Sequence, residues 1–344
     1  MGVALKDLVV RSEISLEDLK DKILVVDAHN ALYQYITSIR QRDGSLLTDS
    51  KGNATSHLIG LFSRTTSLMQ KGLKLAFVFD GEPPELKKEE RERRKEIKIN
   101  AEKKFKEAEK KGNKEEMKKY ASRTSRLTPE MIEEAKKLIN ELGLPVIQAP
   151  SEGEAQAAYM VKKGDAFAIV SQDYDSLLYG AEKSIQNLSV SAKRKMKGTV
   201  AYQTIKPNML KLSDNLNNLG VDQDQLIVLS ILVGTDYNLG GVKGIGPKNA
   251  LKLVRQYGSD FDDLFEENGW DKNFDFPWTE VYYTIKKMPT TDNYELKWVV
   301  PDEKKLKELL VHEHDFSEER FGNTFKKLMK YKESKKQKGL GDFF

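Results

Sequence analysis

The sequence predicts an α/β fold with a mainly parallel central sheet and helices on both of its faces. Short, continuously apolar runs at 23–27 (ILVVD), 74–80 (KLAFVFD) and 166–171 (AFAIVS) read as buried strands. Longer helical patterns lie between them at 54–71, 129–142 and 152–163. Uninterrupted apolar strands alternating with helices are the pattern of a parallel sheet covered on each side. A chain of 344 residues can bury such a core without disulfides or structural metals.

Each element has a local reason. Thr128-Pro129 opens the helix at 129–142, with proline at a first helical position, and Gly143 stands just past its end. In the second half, 222–235 (DQDQLIVLSILVGT) reads as a strongly apolar helix, 236–248 is rich in glycine, and 247–257, 279–287, 303–311 and 317–331 are helical. No repeat of 20–50 residues is apparent. The expected organisation is one domain over 1–331, with a projecting charged insert at 85–128, a distinct region at 222–260, and a flexible tail at 332–344.

Composition excludes several classes. There is no cysteine, hence no disulfide scaffold, thiolate zinc site or cysteine nucleophile, and the four histidines fit neither a metalloprotease helix nor a zinc finger. No window is apolar enough for a bilayer span, and the N-terminus lacks a signal-peptide run. Lys6 stands where a myristoylation signal needs Ser or Thr. An intracellular protein with no membrane partner is expected.

The net charge of +4 is uninformative, but its distribution is not. Residues 85–126 carry 17 Lys/Arg against 10 Asp/Glu, a net of +7 that leaves −3 for the remainder. At helical phase Lys87, Arg91, Arg94 and Lys98 share one face, with Glu85, Glu89, Glu92 and Glu96 opposite. Ion-paired surface helices usually mix signs along a face. A segregated cationic stripe suits phosphate oxygens.

Acidic residues gather at predicted strand ends. Asp27, Asp80 and the pair Asp173 and Asp175 each follow a predicted strand, where ligands bind in open α/β sheets. A single aspartate there is ordinarily a helix cap. Four after three parallel strands suggest one cleft. Glu152 and Glu154 open the helix at 152–163, with the small Gly153 between them, and Asp236 ends the apolar helix. Carboxylates within ~4–6 Å raise one another's pKa, and divalent cations relieve this. An oxygen-only set favours Mg²⁺ or Mn²⁺ over Zn²⁺. Two such ions, about 3.5–4 Å apart, can activate a water and stabilise the leaving oxygen of a phosphodiester.

The run Gly240-Gly241-Val242-Lys243-Gly244-Ile245-Gly246-Pro247-Lys248 precedes a helix. Its glycines allow close backbone approach, Pro247 fits a first helical position, and Lys243 and Lys248 add charge beside free N–H groups. Without the Lys-Ser/Thr ending of a nucleotide P-loop, it suits duplex backbone rather than ATP.

The motifs VVDAHNALYQ, FVFDGEPPELK, APSEGEAQAAY, SQDYDSLLYG, GTDYNLGGVKGIGPKNA, ELKW and FSEER resemble, in order and spacing over residues 1–330, those of the structure-specific 5′ nucleases, and among these the flap endonucleases. The resemblance implies a PIN-like core with a helical arch at 85–128 and a helix–two-turn–helix at 222–260. It implies that Asp27, Asp80, Glu152, Glu154, Asp173, Asp175 and Asp236 hold two metals directly or through water, and that Lys87 and Arg94 engage the scissile phosphate. Tyr33 matches an aromatic that stacks on the base beside the cut. Arg40 and Arg64 match duplex-contacting positions, and Arg91 and Lys98 join them on the stripe. The loop of Gly241, Lys243, Gly244, Gly246 and Lys248 resembles one that grips a DNA strand beside K⁺. Gln172 stands where some relatives carry Glu.

Gln337, Leu340, Phe343 and Phe344 fit the pattern of ligands of the sliding clamp, PCNA, and a chain stopping there resembles the archaeal members. The implied activity is two-metal hydrolysis of branched DNA with a 5′ flap, with 5′→3′ exonuclease activity, leaving a 5′-phosphate and a 3′-hydroxyl in lagging-strand maturation and repair. A sibling exonuclease or gap endonuclease, a PIN-type endoribonuclease and a non-catalytic clamp-recruited junction binder are the alternatives.

Overall fold

Leu24, Val25 and Val26 are all buried although successive strand residues point to opposite faces, so this strand is covered on both sides. The computed structural model describes residues 3–188, 193–195, 202–204 and 206–341. Among these, the strands are β1 (Ser12–Glu13), β2 (Ile23–Asp27), β3 (Lys74–Phe79), β4 (Val146–Gln148), β5 (Ala168–Val170), β6 (Lys183–Gln186), β7 (Lys193–Lys195), β8 (Tyr202–Thr204) and β9 (Asn208–Lys211). The main sheet has the order β1-β9-β6-β5-β2-β3-β4, and β7 pairs with β8 apart from it. Strands β6, β5, β2, β3 and β4 run parallel, whereas β9 and β1 extend the edge antiparallel. The expected mainly parallel sheet is present, with that mixed edge.

The helices are α1 (Ala28–Ser38), α2 (Ser56–Gln70), α3 (Lys88–Lys110), α4 (Lys114–Ala121), α5 (Pro129–Glu141), α6 (Gly153–Lys163), α7 (Asp175–Leu178), α8 (Leu212–Leu219), α9 (Gln223–Val233), α10 (Pro247–Tyr257), α11 (Phe261–Glu267), α12 (Trp278–Lys286), α13 (Glu303–Lys307) and α14 (Glu318–Gly341). One face of the sheet packs Leu24, Val26, Phe77 and Phe79 against Leu32, Leu58, Leu61, Leu138 and Leu328. The other packs Val25, Ala76 and Val78 against Ala157, Ala158 and Met160 of α6. A third cluster joins Leu229 and Leu232 of α9 to Ala250, Phe265 and Val281, so the second half packs as helices around α9.

Two features position the site. Strand β2 lies between β5 and β3, and the chain runs outward from it in both directions. That is a topological switch point, where a crevice opens beyond the carboxyl ends. The segment after α12 straps α6 down: the Gln156 side chain exchanges two hydrogen bonds with the backbone of Thr291, at 2.9 and 2.7 Å, and Trp298 Nε1 donates to the Leu75 carbonyl at 2.8 Å.

Three details differ from the sequence expectation. Lys87 belongs to a short 3-10 turn, Glu85–Lys87, and α3 starts only after it. Glu90 is 1% exposed and lies among the basic residues of α3, so the cationic stripe contains a buried acid. Helix α14 continues to Gly341, into the segment expected as tail, because 332–338 has no proline or glycine to stop it. No described helix is long and apolar enough to cross a membrane.

Candidate active site

The carboxylates come from the ends of the adjacent strands β2, β3 and β5, the starts of α6 and α7, and the end of α9. Asp27 is the last residue of β2 and caps α1, accepting from the Asn30 N–H at 3.0 Å. Asp80 follows β3 and accepts from the Gly153 N–H at 2.7 Å. Asp173 lies beyond β5 and accepts from Asn30 Nδ2 at 2.9 Å. Asp175 opens α7 and accepts from the Val3 N–H at 2.8 Å. Glu152 and Glu154 flank Gly153 at the start of α6, and Asp236 follows the end of α9.

Electrostatic coupling joins all seven. Burial, reinforced by Asp80, Asp173 and Glu152, pushes the Asp27 carboxyl up to about 8. Burial raises Asp175 to about 7, against the Val3 hydrogen bond and with help from Asp236 and Asp173. Glu154 rises well above the ordinary carboxyl range through burial and the charges of Asp175, Asp27 and Asp173. Burial also raises Glu152, opposed by the ammonium of Lys87.

The basic pair lies inside this cleft. Lys87 Nζ donates to Glu152 Oε2 at 2.6 Å and stands 3.6 Å from Asp236 Oδ2. Burial alone would lower the Lys87 ammonium, but Glu152 and Asp236 outweigh it and push it up. Arg94 Nη2 donates to both carboxylate oxygens of Asp236, at 2.9 and 2.8 Å.

The donor set fits divalent cations bound through oxygen. Glu154 Oε1 is buried without a hydrogen-bond partner, and the burial and mutual repulsion that push Asp27 and Glu154 up are what a bound cation would relieve. Among the described residues no three His, Asp or Glu side chains already stand round one point closely enough to hold an ion. Backbone N–H groups, Lys87 and Arg94 hold Asp27, Asp80, Asp175, Glu152 and Asp236 instead. The sequence-predicted acids therefore interact with one another without forming a closed ligand sphere.

The other expected residues are dispersed around it. Tyr33 is 40% exposed on α1, with Lys98 Nζ 5.4 Å from its ring centre. Arg91 is exposed on α3. Arg64 lies over the ring of Tyr35 at 4.9 Å. Arg40 donates to the Gly44 carbonyl at 2.6 Å and to Ser125 Oγ, which ties it to the insert. In the glycine loop Gly241 has φ +61° and a Cβ there would meet the Leu232 carbonyl at 2.3 Å, while Gly244 has φ +87° in open space. Gly246 caps α10 at φ −90°, so position rather than positive φ explains it. Lys243 and Lys248 are exposed. In the tail, Gln337 and Leu340 fall within α14, their side chains outside the described residues, as are Phe343 and Phe344.

Sequence reasoning missed several participants. His29 Nδ1 accepts from the Asp80 N–H at 3.1 Å and lies 3.3 Å from Asp80 Oδ2. Asn30 bridges Asp27 and Asp173. Both follow Asp27 within VVDAHNALYQ, so that motif carried the signal. The part-buried hydroxyl pair Tyr179–Tyr237, 2.6 Å apart, adjoins the acids and carries no such signal.

Comparison with known proteins shows the family. Residues 1–101 match the XPG N-terminal domain and residues 143–236 the XPG I-region. The chain is 50% identical to Flap endonuclease 1 of Pyrococcus horikoshii, over 100% of this chain and 98% of that one. The solved structure of flap endonuclease-1 from Methanococcus jannaschii matches with a TM-score of 0.76 at 43% identity, covering 97% of this chain and 100% of that one. The catalytic core of Rad2 in complex with DNA substrate matches with a TM-score of 0.70 at 26% identity, covering 95% of this chain and 100% of that one. This chain belongs to the flap endonuclease family, whose members are metal-dependent nucleases.

Proposed function

We propose that the cleft hydrolyses the phosphodiester at the junction of a 5′ single-stranded flap with duplex DNA, leaving a 5′-phosphate and a 3′-hydroxyl. The observation that carries this reading is the electrostatic coupling of seven carboxylates from the ends of β2, β3 and β5, the starts of α6 and α7 and the end of α9, with Lys87 and Arg94 bonded to two of them.

Two Mg²⁺ ions, or Mn²⁺ in their place, would supply an activated water and neutralise the leaving oxygen when held by the seven acids. The chain's own groups do the rest. Lys87 and Arg94 exchange Glu152 and Asp236 for the scissile phosphate, where fixed cations stabilise charge that develops in the transition state. The exposed ring of Tyr33 stacks on the neighbouring base. Lys98, Arg91, Arg40 and Arg64 contact backbone phosphates, and the Gly241–Lys248 loop grips one duplex strand beside K⁺. None of these contacts reads base edges, so selectivity comes from the shape of the junction. Gln337, Leu340, Phe343 and Phe344 bind a sliding clamp, which places the enzyme in the cell at replication and repair intermediates.

The test is cleavage of an end-labelled double-flap duplex with and without Mg²⁺, products mapped to the nucleotide. Metal-dependent cuts at the junction are expected, and an enzyme that cut only RNA, away from any junction, would be an endoribonuclease instead. Cuts spread along blunt duplex would assign an exonuclease instead.

A further inference from the structure

Helix α3 is charged and largely exposed, yet Glu90 on it is 1% exposed. A fully buried glutamate is rare unless paired, and this one is paired twice. Its Oε2 accepts from Arg93 Nε at 2.6 Å, and its Oε1 accepts from Arg93 Nη2 at 2.9 Å and also from Arg94 Nε. Arg94 in turn uses Nη2 to hold both oxygens of Asp236, 142 residues away. The Arg94 guanidinium is thus gripped on its Nε edge by its own helix and directed by its terminal nitrogens toward the acids.

The two grips differ in what substrate does to them. A phosphate entering the cleft competes with Asp236 for the terminal nitrogens. It does not reach the Nε edge, which Glu90 holds from within the helix at i and i+4. A long side chain held at one edge keeps its direction while its other partner changes, so less orientational freedom is lost as the new bond forms. Arg93 cannot take the same part, because it makes no bond to the acids and its side chain is 46% exposed.

We propose that Glu90 is a positioning residue that holds the Arg94 guanidinium aimed at the scissile phosphate, acting on cleavage only through Arg94. This rests on the reading that Arg94 engages that phosphate.

The test is a double-mutant cycle on single-turnover cleavage of a labelled 5′-flap duplex in Mg²⁺, with affinity measured separately by anisotropy in Ca²⁺. Glu90→Ala is expected to slow cleavage on the order of 10²-fold while Kd stays within about 3-fold. Glu90→Gln, which keeps an oxygen for Arg94 Nε, should recover most of the rate. In an Arg94→Ala background, Glu90→Ala should add less than about 3-fold, since the two act as one unit. Equal slowing in both backgrounds, or a normal rate for Glu90→Ala beside a slow Arg94→Ala, would overturn the proposal. An Arg94→Ala enzyme of normal rate would instead remove the reading on which it rests. Should Glu90→Ala not fold, Glu90→Met, which keeps the side chain's length and removes both acceptor oxygens, replaces it in both backgrounds with the same expected and overturning results.

Discussion

The backbone N–H of Gly153 donates to Asp80 Oδ1 at 2.7 Å, and a Cβ at Gly153 would stand 2.6 Å from that same oxygen. Glycine between Glu152 and Glu154 therefore makes room for the carboxylate of a neighbouring strand. Gly153→Ala should displace Asp80 and slow single-turnover cleavage on the order of 10²-fold, while α6 stays folded by circular dichroism. An alanine variant that cleaves at the normal rate would show that Asp80 needs no such placement.

On the proposed reading, Lys87 and Arg94 act on the phosphate's charge rather than on duplex affinity. Replacing both with alanine should slow cleavage by at least ~10²–10³-fold with Kd for the flap duplex little changed. A large loss of binding with a normal single-turnover rate would place them among the duplex contacts instead.

Crowded acids make the metal-free protein sensitive to pH. Asp27 and Asp175 titrate near 8 and 7 when folded, above their ordinary unfolded value. Between about pH 4 and these values the folded state binds more protons than the unfolded chain, so this contribution to stability is lost as pH rises. With chelator present, the thermal midpoint should fall from pH 5.5 to 8, and both millimolar Mg²⁺ and Glu154→Gln should flatten the decline. A chelated protein that grows more stable over that range would contradict the crowding.

Removal of 337–344 should abolish stimulation by a sliding clamp and leave the unstimulated rate unchanged. The comparison is turnover of the full and shortened chains with and without clamp. A shortened enzyme that still responds fully would locate clamp binding elsewhere.

Strands β2, β3 and β5 and the acids after them were legible because fully buried strands read as continuous apolar runs. Strands β6 and β9 were not, since Lys183, Ser184, Gln186, Asn208 and Lys211 interrupt any such run near the sheet edge. Helix α1 lies outside the sequence expectation, although Asp27 caps it. Glu90 leaves no distinct signal, because a glutamate near arginines on a charged helix reads as a solvated ion pair whether or not the chain around it covers it. Pairings such as Val3 with Asp175, 172 residues apart, leave no local pattern, because the sheet topology alone brings them together.

The most direct measurement is cleavage of a labelled 5′-flap duplex in Mg²⁺ by an Asp80→Ala, Asp173→Ala double variant that binds the duplex normally. If the acids beyond β3 and β5 hold the ions together, no cleavage product should form at enzyme excess. Cleavage near the wild-type rate would contradict the account, because these carboxylates would then not serve the chemistry.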